Sequence, residues 1–188
     1  MTTICHTLKE CIQEKSLVEL YTNGDDEFSV GLPLYMDDKG VVVFNIDPQG
    51  RMDGYSYYDL SSIHILNTDT SYLQKLNHYR KFWEENQGGV CANTLLPRFT
   101  YDSSEPLLLE VLRKQQNENR IVSIETCCAD NLYTGFLIQL TEKTIVLNTI
   151  NIENAKATEK IIIHLKDIVF AEFNSIDNLL LESAFRTL

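Results

Sequence analysis

Cysteine, histidine and clustered carboxylate side chains are the groups in this chain that could do chemistry. The cysteines and histidines are Cys5, Cys11, Cys91, Cys127, Cys128, His6, His64, His78 and His164. No two cysteines have the Cys-x-x-Cys spacing of zinc sites, and no local motif pairs a histidine with a cysteine. Cys127 and Cys128 are neighbours on a predicted strand, where successive side chains point to opposite faces. We therefore predict no metal site, and we expect the thiols to be reduced, partly buried and typical of a cytoplasmic protein.

The clustered carboxylates lie in sequences that are typical of turns. Asp25-Asp26-Glu27 and Asp37-Asp38 fit turns because an aspartate side chain bonds to nearby backbone amides, so a divalent-ion site is the less favoured interpretation. His6 and Glu10 share a helix face, which is typical of a solvated pair. The phosphate-loop, nucleophile-elbow, zinc-protease and dinucleotide-binding motifs are all missing from the sequence. We predict no catalytic residue, no cofactor and no enzymatic activity, and an enzyme of unknown type is the least favoured alternative.

Charge argues against a nucleic-acid partner. The 188 residues contain 16 Lys and Arg against 27 Asp and Glu, a net charge of −11, and no basic cluster offsets this acidity locally. Tyr55, Tyr57 and Tyr58 allow a base-stacking platform, although aromatic residues at alternate strand positions are more typical of cross-strand packing. No apolar run is long enough to span a membrane, and we expect no secretion signal at the N-terminus. The expected partners therefore exclude membranes and DNA.

The chain contains an internal repeat at an offset of 104 residues. Residues 18–50 align without a gap with residues 122–154, and seven positions are identical, including the pairs Val18/Val122, Gly31/Gly135 and Lys39/Lys143. One inserted residue then places Leu60 over Leu165 and Ile63 over Ile168. Because a duplicated segment repeats its order of elements, the two halves should have the same fold.

Apolar periodicity predicts the same elements in both copies. A helix precedes each copy, and Ser103-Ser104-Glu105-Pro106 should cap the second one. Strands are expected at 18–22, 28–36, 41–46 and 55–66, and again at 121–126, 132–140, 145–152 and 161–173. The segment 55–66 is expected to form one long strand or two short ones. Further helices should cover 70–86 and follow Ser175. The core should include Phe28 and Val42, and Leu76 and Trp83 should seal the junction between the helix and a barrel.

This pattern predicts a mainly β protein with flanking helices, an α+β chain in which each copy forms four or five short strands in a small, strongly bent sheet or barrel; the fold we expect is two tandem five-stranded barrels. Each barrel has an N-terminal helix and a following C-terminal helix. The expected domains are residues 1–88 (first barrel and its following helix), 89–103 (linker) and 104–188 (second barrel and C-terminal helix).

The segment from Gly31 to Val43 resembles the Sm-like fold of the Sm and LSm proteins and the bacterial RNA chaperone Hfq. Gly31 matches the family glycine, and Asp37 matches the aspartate six residues later, before an apolar strand. The resemblance implies small barrels of the Sm/SH3-like type that associate edge to edge, so homo-oligomers or other protein partners are expected. It also implies, as an alternative, ligand or RNA contacts at Tyr35, Asp37, Lys39 and Lys143.

The departures from the family weaken that alternative. Lys39 and Val41 occupy the positions that hold a base in the family. In the second copy Thr141 replaces the aspartate, and Lys143 and Ile145 stand at the positions of Lys39 and Val41. The second, basic Sm motif has no counterpart. We therefore predict a non-catalytic, cytoplasmic interaction or assembly module, with an RNA-binding Sm-like regulator as the alternative.

Overall fold

The computed structural model describes residues 3–22, 27–86 and 96–188. In these ranges the helices are α1 Thr3–Glu14, α2 Ser71–Asn86, α3 Leu107–Glu118 and α4 Ile176–Thr187. The strands are β1 Val18–Tyr21, β2 Ser29–Met36, β3 Gly40–Ile46, β4 Met52–Asp59, β5 Ile65–Asn67, β6 Ile121–Thr126, β7 Ala129–Leu140, β8 Thr144–Asn151, β9 Lys156–His164 and β10 Ile168–Phe173. The expected mainly β chain with flanking helices is confirmed. No helix in these ranges is long and apolar enough to cross a membrane.

The ten strands form one open antiparallel sheet in the order β5-β1-β2-β3-β4-β10-β6-β7-β8-β9. Tandem barrels are therefore not confirmed. The reason is that β4 pairs with β10 across the boundary between the copies, so that Tyr55 lies opposite Phe173 and Tyr58 opposite Phe170. This pairing merges the two five-stranded halves and leaves β5 and β9 as the outer strands.

The strand registers follow the internal repeat residue by residue. Val18 lies opposite Gly31, and the pair 104 residues later, Val122 and Gly135, is also in register. In both copies a bulge follows, between Pro33 and Tyr35 and at the corresponding place between Leu137 and Gln139. After the inserted residue the offset becomes 105, as the pairs Gly40↔Asp59 and Thr144↔His164 show. The same backbone pairing is thus built twice.

Two glycines are required where neighbouring strands approach closely. A Cβ atom on Gly31 would lie 2.4 Å from the carbonyl oxygen of Phe44, and one on Gly135 would lie 2.1 Å from that of Asn148. Since no side chain fits at these distances, any residue other than glycine would push the strands apart. The repeated glycine therefore has a packing role in both halves.

The largest core joins the two copies. It contains Val42, Tyr55 and Tyr57 from the first half together with residues of the second half such as Phe173. The ring of Tyr55 stacks between Phe44 at 4.6 Å and Phe173 at 5.4 Å. Phe99, from the predicted linker, is also buried in this core, and its backbone N–H donates to the Tyr55 hydroxyl at 3.3 Å. The described part of the linker therefore packs as part of the core.

Helices α2 and α4 occupy equivalent places on the two halves. Leu76 of α2 packs with Leu17 and Ile46, and Leu181, 105 residues after Leu76, packs with the matching residues of the second half. Ser175 caps α4 as predicted, because its hydroxyl accepts from the backbone N–H of Asn178 at 3.2 Å. The two copies thus place a helix on the same surface of each half.

Three local expectations need correction. Phe28 is exposed rather than buried, because it lies at the rim and packs on Tyr21 and Tyr72. Trp83 is only half-buried, and its indole N–H donates to the carbonyl of Gln49 at 2.8 Å. Ser103 and Ser104 do not cap α3, whose first residue follows Pro106 directly; its cap comes from the first half of the chain.

Candidate functional site

A cleft between the two halves contains most of the residues that were predicted from the sequence as possible ligand or RNA contacts. Its walls are the β2–β3 turn, the β7–β8 turn, the start of α3, and the residues Leu165 and Lys166 of the 3-10 turn Leu165–Asp167. The volume of the cleft is about 580 Å³. The lining residues with a carboxylate, ammonium or imidazole group are Asp37, Lys39, Asp59, Glu142, Lys143, His164 and Lys166. The cleft therefore brings Asp37, Lys39 and Lys143 together. Tyr35 does not line it, because its ring packs on Phe99 and Tyr101 at 5.8 and 6.0 Å.

Asp37 joins the two halves of the protein. One carboxylate oxygen accepts from the backbone N–H groups of Lys39 at 2.9 Å and Gly40 at 2.8 Å, which closes the β2–β3 turn. The other oxygen accepts from the backbone N–H of Leu107 at 2.8 Å. Leu107 is the first residue of α3, and its N–H has no partner within the helix. Asp37 thus supplies the cap of a helix that follows 70 residues later.

Thr141, which replaces the aspartate in the second copy, keeps only the first of these roles. Its hydroxyl accepts from the backbone N–H groups of Lys143 at 3.3 Å and Thr144 at 2.9 Å. The hydroxyl oxygen can accept both hydrogen bonds of the turn. In the described chain, no helix begins close enough to donate a backbone N–H to it. The replacement therefore preserves the turn and gives up the helix cap.

The charges of the cleft are balanced. Lys39, Lys143 and Lys166 face three carboxylates, so the site has no net positive charge to concentrate a polyanion. Tyr57 forms part of the wall, and burial, followed by the nearby carboxylates of Asp59 and Asp37, raises the pKa of its hydroxyl above the usual range. The Tyr57 hydroxyl is therefore a neutral donor. The cleft offers exposed ammonium groups around an apolar floor of leucine side chains.

The tyrosines that allowed a stacking platform are all in the core. Tyr55, Tyr57 and Tyr58 are buried, and Tyr58 packs on Phe170 with ring centroids 5.2 Å apart. Of the two interpretations left open by the sequence, cross-strand packing is the one observed. No tyrosine ring on β4 is therefore exposed for a nucleic-acid base to stack on.

The expectation that Cys127 and Cys128 point apart is wrong. They form the two-residue turn between β6 and β7, because strand pairing ends at Thr126 and Ala129. Both side chains are exposed, and their sulfur atoms lie 3.5 Å apart. The alternation of strand side chains does not extend through a turn, which explains the error. Of the other cysteines, Cys5 and Cys11 lie on α1, and Cys91 is outside the described residues.

Among the residues that the structure describes, the remaining candidates from the sequence do not form a chemical centre. Asp25 and Asp26 lie outside the described residues, and Glu27 is exposed. The His6 and Glu10 side chains approach to 3.5 Å on the solvent side of α1. Sequence reasoning did not single out His164 and Lys166 as lining the cleft. The internal repeat could have identified them. The offset of 105 residues places His164 at the end of the fourth strand of the second copy and Lys166 in the turn after that strand.

Comparison of the chain with protein-family models, with curated proteins and with solved structures gives no significant match.

Proposed function

We propose that this protein is a non-catalytic assembly module of the cytoplasm, in which two Sm-like units are fused and the free sheet edges bind further copies of the chain. The observation that carries the proposal is the pairing of β4 with β10. By the repeat, β9 is the counterpart of β4, and β5 is the counterpart of β10. The two outer strands therefore have the same relationship to each other as the two strands that already pair inside the chain.

The repeat also specifies the register of the contact between chains. Tyr58 pairs with Phe170, so the offset of 105 residues places Ile163 of one chain opposite Ile65 of the next. In the same way Tyr57 and Ala171 translate into Ile162 and Leu66. Such a contact joins different strands of the two partners, which makes it head-to-tail and able to close into a ring.

Both free edges expose apolar side chains that this pairing would cover. Ile162 on β9 is 71% exposed, and Ile65 on β5 is 49% exposed. Exposed apolar edge strands favour association, and a stable monomer normally protects them with charge, proline or a covering element. Helix α2 does not block β5, because its counterpart α4 lies at the equivalent place and leaves β10 free to pair with β4.

The resemblance to Sm-like proteins supports a closed ring. Units of that fold associate edge to edge, and three chains of this protein would form a ring of six units. We expect a particle of about 65 kDa, three times the 21.6 kDa chain, by light scattering at micromolar concentrations. A strict monomer over this range would refute the proposal.

Edge variants test the direction of the contact. Ile162→Lys should block β9, and Ile65→Lys should block β5, so each variant alone should be a monomer. Mixing them should give a dimer, because the first variant keeps an intact β5 and the second an intact β9. The matched control is Ile138→Lys, since Ile138 is 46% exposed but lies on the interior strand β7 and should leave the assembly unchanged. Self-association of either edge variant alone would show a like-to-like contact and contradict the head-to-tail arrangement.

RNA binding is the second candidate, and the observation that favours it is the presence of Lys39, Lys143 and Lys166 in one cleft. The three carboxylates of the same cleft and the burial of the β4 tyrosines oppose it. We expect no micromolar binding of short U-rich or A-rich RNA in fluorescence anisotropy at about 50–100 mM salt, where phosphate-driven binding is still strong. Binding that disappears in the Lys39→Glu, Lys143→Glu double variant would establish RNA as the ligand.

A further inference from the structure

The turn between β6 and β7 presents two thiols on the surface beside a carboxylate. The sulfur atoms of Cys127 and Cys128 are 3.5 Å apart, and together with a carboxylate oxygen of Asp167 they lie within 4.8 Å of one another. All three side chains belong to short turns at the same end of the sheet, since Asp167 ends the 3-10 turn that precedes β10. These groups lie outside the cleft described above.

A backbone hydrogen bond holds the two turns together. The N–H of Cys127 donates to the carbonyl oxygen of Asp167 at 2.8 Å. The ligand atoms are therefore carried by two segments whose relative position is set before any ligand binds. Such preorganisation reduces the ordering that binding would otherwise require.

The donor set and spacing match a tetrahedral thiophilic cation. Two zinc–sulfur bonds of about 2.3 Å at the tetrahedral angle place the sulfurs about 3.8 Å apart, so the observed 3.5 Å needs only a small opening. Carboxylate oxygen is also an accepted zinc ligand, and the exposure of the turn leaves the fourth position to water. Calcium and magnesium are excluded by their requirement for oxygen ligands.

We propose that Cys127, Cys128 and Asp167 form a binding site for zinc or a similar thiophilic divalent cation. Each thiol loses its proton on binding, so one cation is exchanged for two protons and no electron is transferred. The carboxylate of Asp167 completes three protein ligands, and the site stays open to solvent on its fourth side.

The surroundings of Cys127 do not activate it as a nucleophile. Its hydrogen bond with Cys128, followed by desolvation and by the negative charges of Cys128 and Asp167, raises the pKa of the Cys127 thiol, whereas a nucleophilic cysteine requires a lowered pKa. Because the metal has to displace both protons, affinity should rise about 100-fold per pH unit in the range where the thiols are protonated.

Titration of the reduced full chain with Co²⁺ tests the site directly. We expect one Co²⁺ per chain, with a sulfur-to-cobalt charge-transfer band in the near ultraviolet and the visible bands of a tetrahedral ion, and displacement by Zn²⁺. Cys127→Ser and Cys128→Ser should each abolish the charge-transfer signal of this site. Asp167→Asn should weaken binding about tenfold and keep the sulfur signal, because it removes only the oxygen ligand.

Cys5→Ser and Cys91→Ser serve as matched controls, since neither thiol is among the three proposed ligands. Both should bind Co²⁺ as the unaltered chain does, and circular dichroism should show that all five variants are folded. The proposal is refuted by the lack of a charge-transfer band, by dependence of the signal on Cys5 or Cys91, or by a tenfold rather than 100-fold change in affinity per pH unit, which would indicate a single thiolate.

Discussion

Replacement of Asp37 by alanine tests whether this one carboxylate links the two halves of the protein. The change removes two hydrogen bonds inside the β2–β3 turn and the side-chain cap that the described chain gives α3. Loss of a helix cap costs about 1 kcal/mol of unfolding free energy, and loss of each of the two turn hydrogen bonds to the carboxylate costs roughly another 1 kcal/mol. We expect Asp37→Ala to lower the free energy of unfolding by about 3 kcal/mol, a large part of the roughly 5–15 kcal/mol typical of a domain.

Thr141→Ala is the internal control, because Thr141 closes the corresponding turn of the second copy and caps no helix. It should cost about 1 kcal/mol, the usual value of a partly exposed turn interaction. Asp37→Asn should fall between the two, since its single acceptor oxygen can serve the turn or the helix but not both. Urea denaturation followed by circular dichroism measures all three variants, and equal m values would show that the same transition is compared.

Hydrogen exchange separates the link between the halves from general destabilisation. In Asp37→Ala the backbone amides of the first turn of α3 should exchange faster because the N–H of Leu107 loses its partner. The Thr141→Ala variant should leave these amides unchanged. A cost of Asp37→Ala within about 0.5 kcal/mol of that of Thr141→Ala, or unaltered exchange at the start of α3, would refute this account of Asp37.

Two further predictions concern packing and pH. Gly135→Ala should destabilise the fold by about 3 kcal/mol in thermal or urea unfolding, because the added Cβ would lie 2.1 Å from the carbonyl oxygen of Asn148; a cost below about 1 kcal/mol would show that the strands can separate freely. Burial raises the pKa of Glu172 above its ordinary value of 4.5, so the folded state favours the protonated form and this group's contribution to stability declines as pH rises from 4.5 through the raised pKa. The free energy of unfolding of Glu172→Gln, relative to that of the unaltered chain, should therefore increase as pH rises from acidic to neutral. A constant difference in unfolding free energy across that range would contradict the raised pKa of Glu172.

Local patterns in the sequence were sufficient to predict the elements of each half and their repetition. Turn residues and the alternation of apolar side chains depend on neighbours along the chain, and they predicted the helices and most strand limits. The offset of 104 residues also predicted that the two halves have the same strand register. Gly31 and Gly135 are equivalent in the repeat, and each lies where backbone atoms approach too closely for any side chain. The strand 55–66, for which one long or two short strands were expected, divides into β4 and β5.

Which edges meet, and which side chains become neighbours, was decided by the tertiary structure. Pairing between β4 and β10 is made by backbone groups that every residue carries, so no sequence pattern marks it in advance, and it turned two expected barrels into one open sheet. The contact of Asp37 with the start of α3 joins residues 70 positions apart in the sequence. Cys127 and Cys128 converge because they occupy a turn rather than a strand, a difference of one or two residues in a strand limit. Distances between side chains follow from three-dimensional packing, and the sequence by itself determined only the segments that pack.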